Sequence, residues 1–350
     1  MKEMSESLSL KVSEAMHRIE SLYNETNGKC YLSFSGGKDS TIILALIKMC
    51  EDIYTIPKNA IKAVFVNTRI ELDATEEFVH WCKENWYENI EIICPEKSFS
   101  EVLSQHGKPI KSKMKSECLE RYQKRYNETS RKMLLGVSDS LYNKVLLANK
   151  DLHLMHDDFK IDISNKCCDF LKKKPIRKYC KQNEMTGYYL GIRLCEGGAR
   201  ELNAKQRLKS GGKLCTGTRR GIIVKMPIID WTDEDVQEFI EYYNIPLSRA
   251  YTEYGMRRTG CIGCPFSIKL KDDLEILYKY EPNKYKACMF WLKDVYIAQN
   301  VSLEFDDEYE KERRDKWLSD GGYFDMRREM LEKYRPDKLR ERFYNKELFK

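Results

Sequence analysis

"YLSFSGGKDSTIILALI", Tyr31 to Ile47, breaks an apolar run with two glycines, Lys38, Asp39 and Ser40 before the apolar pattern resumes. The first half has the short, β-rich look of a buried strand. The second half has helical spacing. A charged corner between two buried segments needs a reason. A strand-to-helix turn that cradles a phosphate supplies one. Gly36 and Gly37 let the backbone approach an anion and adopt positive φ. The helix start offers unpaired N–H groups and the positive end of the dipole. Lys38 adds a full charge, and Ser33, Ser35 and Ser40 add hydroxyl donors. The spacing is not that of the Walker A loop.

The same alternation continues outward. "IKAVFVNT" reads as a second buried strand and "ELDATEEFVHWCKENW" as a helix. "IEIICP", "GYYLGIRL" and "GIIVKMPIID" read as further strands. Thr232, with Asp235 three residues on, marks a capped helix start. Strands alternating with helices predict an α/β fold, a parallel sheet with helices on both faces. The expected organisation is an N-terminal helix over 1–28, a main domain over 29–266 and a helical region over 267–350. The main domain carries a basic helical insertion at about 107–150.

The chain has 350 residues, 42% hydrophobic and 33% charged, the profile of a globular protein. No apolar run approaches the ~20 residues that span a bilayer. The N-terminus is amphipathic, without a signal peptide's apolar core. These features predict a cytoplasmic protein with no membrane partner. Thirteen cysteines, an odd count, then argue against a disulfide framework. Cys30, Cys50, Cys82 and Cys94 read as buried thiols, and His153 and His156 as surface residues. Net charge is only +6, but residues 108–132 carry nine Lys and Arg against three Glu. Residues 166–181 carry seven against one Asp. Two basic stretches on an otherwise acidic chain suggest a polyanionic partner, with a solvated helix face as the alternative. Lys108, Lys111, Lys113, Arg121 and Arg125 are the nucleic-acid candidates.

"SFSGGKDS" resembles the pyrophosphate-binding loop (PP-loop) of the N-type ATP pyrophosphatases. "AVFVNTRIELDATEEFV" is similar to the second-strand region of the sulfonucleotide reductases, with Asn67 in place of the usual acid. "KCCDFLKKKPI" resembles the paired-cysteine segment of their iron–sulfur subgroup. "LGIRLCEGGARE" resembles their Gly-x-Arg-x-x-Glu-Ser-x-x-Arg segment, with Gly197 replacing the serine, and "MPIIDWTDEDVQEFI" the segment that follows. Over about Cys30 to Phe266 the chain therefore resembles the phosphoadenosine-phosphosulfate reductase family. The resemblance implies an adenine nucleotide α-hydrolase-like, Rossmann-like fold. It implies ATP contacts at Ser33, Ser35, Gly36, Gly37, Lys38, Ser40 and Asn67. Catalytic roles would fall to Lys38, Asp39 and Ser40, with Mg²⁺ on the phosphates. Arg193, Glu196 and Arg200 are expected at the nucleotide or a substrate anion.

Cys261 and Cys264 form a C-x-x-C pair, and Cys167 and Cys168 are adjacent. Four thiolates suit tetrahedral zinc or a four-iron cluster. Adjacent cysteines suit zinc poorly, and the resemblance implies a [4Fe-4S] cluster. Cys288 is a possible substitute ligand and Cys215 a weaker one. Phosphosulfate reduction in this family uses a cysteine near the C-terminus, and none follows Cys288. The intact Lys-Asp-Ser loop suits ATP better. The leading expectation is an ATP-dependent adenylating enzyme that inserts sulfur into a nucleic acid or nucleotide. A cysteine desulfurase or other sulfur or electron donor would be its partner. "RTGCIGC" together with the loop resembles the sulfurtransferases of DNA phosphorothioation. The alternatives are a sulfonucleotide reductase and a non-catalytic nucleic-acid-binding regulator.

Overall fold

The computed structural model describes residues 4–54, 56–125, 127–137, 145–196, 206, 208–209, 211–301, 303 and 333. The chain divides into two compact units. The first comprises residues 1–96 and 171–261, and the second residues 97–170 and 262–350.

The first unit is an α/β sandwich around one six-stranded sheet of order β3-β2-β1-β4-β6-β5. The strands are β1 (Cys30–Phe34), β2 (Lys62–Val66), β3 (Ile90–Ile93), β4 (Gly187–Tyr189), β5 (Thr216–Arg219) and β6 (Ile222–Lys225). Every pairing is parallel except β5 with β6. This is the expected adenine nucleotide α-hydrolase-like arrangement with one antiparallel edge added. The edge strand lacks an apolar run, so its sequence carries little strand signal. Its hairpin turns at Arg220 and Gly221, both at positive φ, as a two-residue loop requires.

The longer helices of this unit among the described residues are α1 (Glu6–Glu25), α2 (Lys38–Ile53), α3 (Asp73–Asn85), α7 (Lys174–Gln182) and α8 (Asp233–Tyr243). Pleating sorts β1 onto two faces. Cys30, Leu32 and Phe34 join a large core with apolar residues of α1, α2, α3 and α8. Tyr31 joins a smaller core with Val64, Tyr179 and Cys180, the last two from α7. Helices therefore cover both faces. The α1 stripe of Leu8, Val12, Met16, Ile19 and Leu22 is buried as its spacing predicts. Thr232 and Asp235 form a reciprocal capping box at the start of α8. The Asp235 carboxylate also accepts from Lys11 Nζ at 2.6 Å, pinning α1 to α8.

The second unit contains α4 (Phe99–His106), α5 (Lys113–Arg125), α6 (Glu128–Leu135), α9 (Leu270–Tyr280) and α10 (Pro282–Ala298). The Phe99 and Trp291 rings pack edge to face, and Lys108 pairs with Asp294 at 2.7 Å. His153 is buried here rather than on the surface. Its ring nitrogens lie 2.9 and 3.0 Å from the carbonyls of Lys150 and Ala298. Conversely, Cys94 is exposed, whereas Cys30, Cys50 and Cys82 are buried. No helix among the described residues is long and apolar enough to cross a membrane.

Candidate functional site

In the strand order, β2 and β3 lie on one side of β1, and β4 and β6 on the other. Chain direction across the sheet reverses at β1. The crevice beyond the carboxyl ends of strands at such a switch point is where open α/β sheets hold ligands. A cavity of about 880 Å³ opens there. Its lining includes Ser33, Ser35, Gly37, Lys38, Asp39 and Ser40 from the end of β1 and the start of α2. Leu190, Ile192, Ile240, Leu247 and Met256 give it an apolar wall.

The phosphate loop is built as its sequence suggests. Gly36 has φ +67°, and an added Cβ would sit 2.9 Å from Thr75 Cγ2 and 3.0 Å from Val79 Cγ2. Both backbone conformation and the packing of α3 thus require glycine. We expect Gly36→Ala to destabilise the protein by about 3 kcal/mol, combining left-handed strain with overpacking. Urea unfolding of the two proteins checks it. Inside the loop, Ser40 Oγ donates to the Gly37 carbonyl at 2.8 Å and lies 3.1 Å from Ser35 Oγ. Ser40 is buried, so its hydroxyl holds the loop's shape. Ser35 is exposed and Lys38 half-buried at the cavity.

Arg193 organises the acids of the site. It is only 2% exposed. Its Nε donates to Asp39 Oδ1 at 2.9 Å and its Nη2 to Asp233 Oδ1 at 2.8 Å. Its Nη1 faces Cys195 Sγ at 3.0 Å. The expected anion fork is thus turned onto two carboxylates of the chain itself. The Arg193 hydrogen bond holds the Asp233 carboxyl below its ordinary range, against burial, with Lys38 and Arg257 helping. Glu196 also lines the cavity and pairs with Arg258 Nε at 3.9 Å. Arg200 and Gly197 lie outside the described residues.

Asn67 is held by neighbours on its own segment. Its Oδ1 accepts from the Arg69 N–H at 2.7 Å and its Nδ2 donates to Glu76 at 3.1 Å. It is not among the residues lining the cavity. Asp233, Tyr251, Arg257 and Thr259 do line it, and the sequence reading passed over all four. Asp233 opens a capped helix, and Thr259 adjoins the C-x-x-C pair. Tyr251 has no comparable local signal.

Cys167 and Cys288 are buried, and Cys168, Cys215, Cys261 and Cys264 half-buried. Burial pushes the Cys288 thiol up to about 12, with Cys264 adding to the rise. Among the described residues, no set of three or more His, Cys, Asp or Glu side chains is arranged to hold a metal ion. Mg²⁺ is a different case. It takes one or two carboxylates and completes its shell from phosphates and water. Asp39 beside Lys38 suits that role.

The basic candidates lie in the second unit. Lys108 pairs with Asp294, and Lys111 with Asp151 at 2.7 Å. Arg121 pairs with Glu117 on the same helix. Lys113 and Arg125 are exposed on α5.

A family model described as the phosphoadenosine phosphosulfate reductase domain matches residues 29–136 and 138–267. Among curated proteins, none matches the chain significantly. Similar solved structures include a phosphoadenylyl-sulfate reductase from Candida auris in a phosphate complex. It is 14% identical, with TM-score 0.42, and the match covers 75% of this chain and 97% of that one. A Candida glabrata FMN adenylyltransferase with FAD and inorganic pyrophosphate is 13% identical, with TM-score 0.41 and coverage of 75% and 67%. The same enzyme with ATP is 13% identical, with TM-score 0.43 and coverage of 75% and 65%.

Proposed function

Given that the chain belongs to the phosphoadenosine phosphosulfate reductase domain family, within the PP-loop superfamily, we propose that it is an adenylating enzyme acting on ATP. The observation that carries this reading is the complete Ser-Gly-Gly-Lys-Asp-Ser loop at the mouth of the switch-point cavity, with Lys38 on its rim. The apolar wall suits a nucleoside base, and the loop suits its phosphates. A nucleophilic atom of the acceptor attacks the α-phosphorus, the bond to the bridging oxygen breaks, and pyrophosphate leaves. Lys38 and the first N–H groups of α2 offset the charge that develops on the phosphates. Asp39, oriented by Arg193, would hold Mg²⁺, which supplies further neutralisation of the triphosphate when bound.

Adenylation turns a poor oxygen leaving group into AMP, which a sulfur nucleophile from a donor protein can displace. A nucleic acid or nucleotide acceptor is consistent with the exposed Lys113 and Arg125 on α5. The iron–sulfur expectation rests on the cysteine spacing and on the resemblance of the paired-cysteine segment to the iron–sulfur subgroup. Iron and sulfide analysis of anaerobically prepared protein tests it independently of the ATP reaction.

The family match favours one second reading, reduction of a sulfonucleotide. One pair of assays separates the two. Pyrophosphate release from ATP in the presence of candidate acceptors supports adenylation. Sulfite release from phosphoadenylyl sulfate with a thiol reductant, and no turnover of ATP, replaces it with the reductase reading.

A further inference from the structure

Two hydroxyls reach the phosphate loop from outside it. The Lys38 N–H, at the first position of α2, donates to Tyr251 Oη at 3.2 Å. Tyr251 Oη lies 3.2 Å from Thr259 Oγ1. Gly37 makes the room, because a Cβ there would sit 3.2 Å from Tyr251 Oη and 3.1 Å from Thr259 Oγ1. Both side chains line the same cavity as Ser33, Ser35 and Lys38. Burial pushes the Tyr251 phenol above its ordinary range, so it stays protonated near neutrality. A neutral phenol accepts with its oxygen lone pairs and still has one proton to give.

We propose that Tyr251, supported by Thr259, is an anion-binding residue of the phosphate cradle. Its oxygen takes the Lys38 N–H, and its own O–H points to a phosphate oxygen. Without an anion, Thr259 is its neighbour. With one, the phosphate accepts the Tyr251 O–H in place of the contact with Thr259, and the Thr259 hydroxyl can donate to it as well. The helix start is thus felt by the anion through a hydroxyl. Only hydrogen bonds rearrange, and no covalent bond changes. Gly37 is then needed for access by this pair as well as by the ligand.

The inference rests on the triphosphate reading for the identity of the anion, but its test is separate. Binding of inorganic pyrophosphate with Mg²⁺ to the full chain is measured by calorimetry, beside pyrophosphate release from ATP. Tyr251→Phe is expected to weaken pyrophosphate binding roughly tenfold, the effect of losing one hydrogen bond to a charged group. Thr259→Val should weaken it less, and Thr259→Ser should retain it. Thermal unfolding checks that each variant is folded. If Tyr251→Phe does not fold, Thr259→Val decides: weaker binding supports the inference and unchanged binding overturns it. Unchanged affinity in Tyr251→Phe overturns it. Tighter binding also does, because the phenol would then be competing for the Lys38 N–H. Absence of pyrophosphate binding in the unaltered protein overturns it too. Tyr251-dependent binding in a protein that releases no pyrophosphate from ATP leaves the inference standing and removes the adenylation reading.

Discussion

Lys38→Ala is expected to lower ATP–pyrophosphate exchange by at least about a hundredfold, the scale of losing one preorganised charge-stabilising group. Lys38 lines the cavity at the first position of α2, where its charge adds to the positive end of the helix. A triphosphate brings several negative charges to this point, and the departing pyrophosphate gathers more. Nearby Arg193 cannot substitute, because its nitrogens already face Asp39, Asp233 and Cys195. Lys38 is half-buried, so thermal unfolding of the variant should stay close to that of the unaltered protein. Exchange that survives the substitution at its original rate would remove Lys38 from the chemistry and the adenylation reading with it.

The second large effect is on the fold and the site together. Arg193→Met should cost about 3 kcal/mol in urea unfolding, because it strands a carboxylate whose partner was a buried guanidinium. Most of that falls on Asp39, whose side chain is 17% exposed against 72% for Asp233. Exchange activity should fall too, since Asp39 loses the bond that orients it. The pH dependence has a definite sign. The Asp233 carboxyl is held low in the folded protein, so its contribution is fully present above about pH 4, the ordinary carboxylate value. It fades as the pH falls through the lowered folded value. Arg193→Met should flatten that acid-side loss. Asp39→Asn in the Arg193→Met background should recover part of the stability without recovering exchange. That outcome would separate the structural role of the pair from its role at the phosphates.

The sequence made the centre of the site legible because phosphate loops are local. Ser35, Gly36, Gly37, Lys38 and Asp39 are contiguous, and the strand before them and the helix after them announce the turn. The parallel core strands were equally legible from their apolar runs. The edge strand β5 was not, because a strand with one open side needs no apolar run. Arg193 shows a different limit. A sequence reveals that a guanidinium is present, but not that two carboxylates distant in the chain will claim it. Asn67 shows the local counterpart, since its amide is taken by Arg69 and Glu76, two and nine residues on. Tyr251 and Thr259 enter the site from more than two hundred residues away, beyond the reach of any pattern in the loop itself. The cysteine spacing raised the opposite problem, because spacing alone does not say which thiols meet.

The pairing of β1 with β4 aligns Cys30 with Gly187 across more than one hundred and fifty residues of chain. During synthesis, the phosphate loop and its helix emerge long before the other wall of the crevice exists. A nascent chain can form the β1–β2–β3 ladder, but it has no pocket until residues beyond 190 arrive. Closing so long an excursion costs loop entropy and belongs late in folding. A chain interrupted in the intervening segment would carry the phosphate loop with no nucleotide site around it.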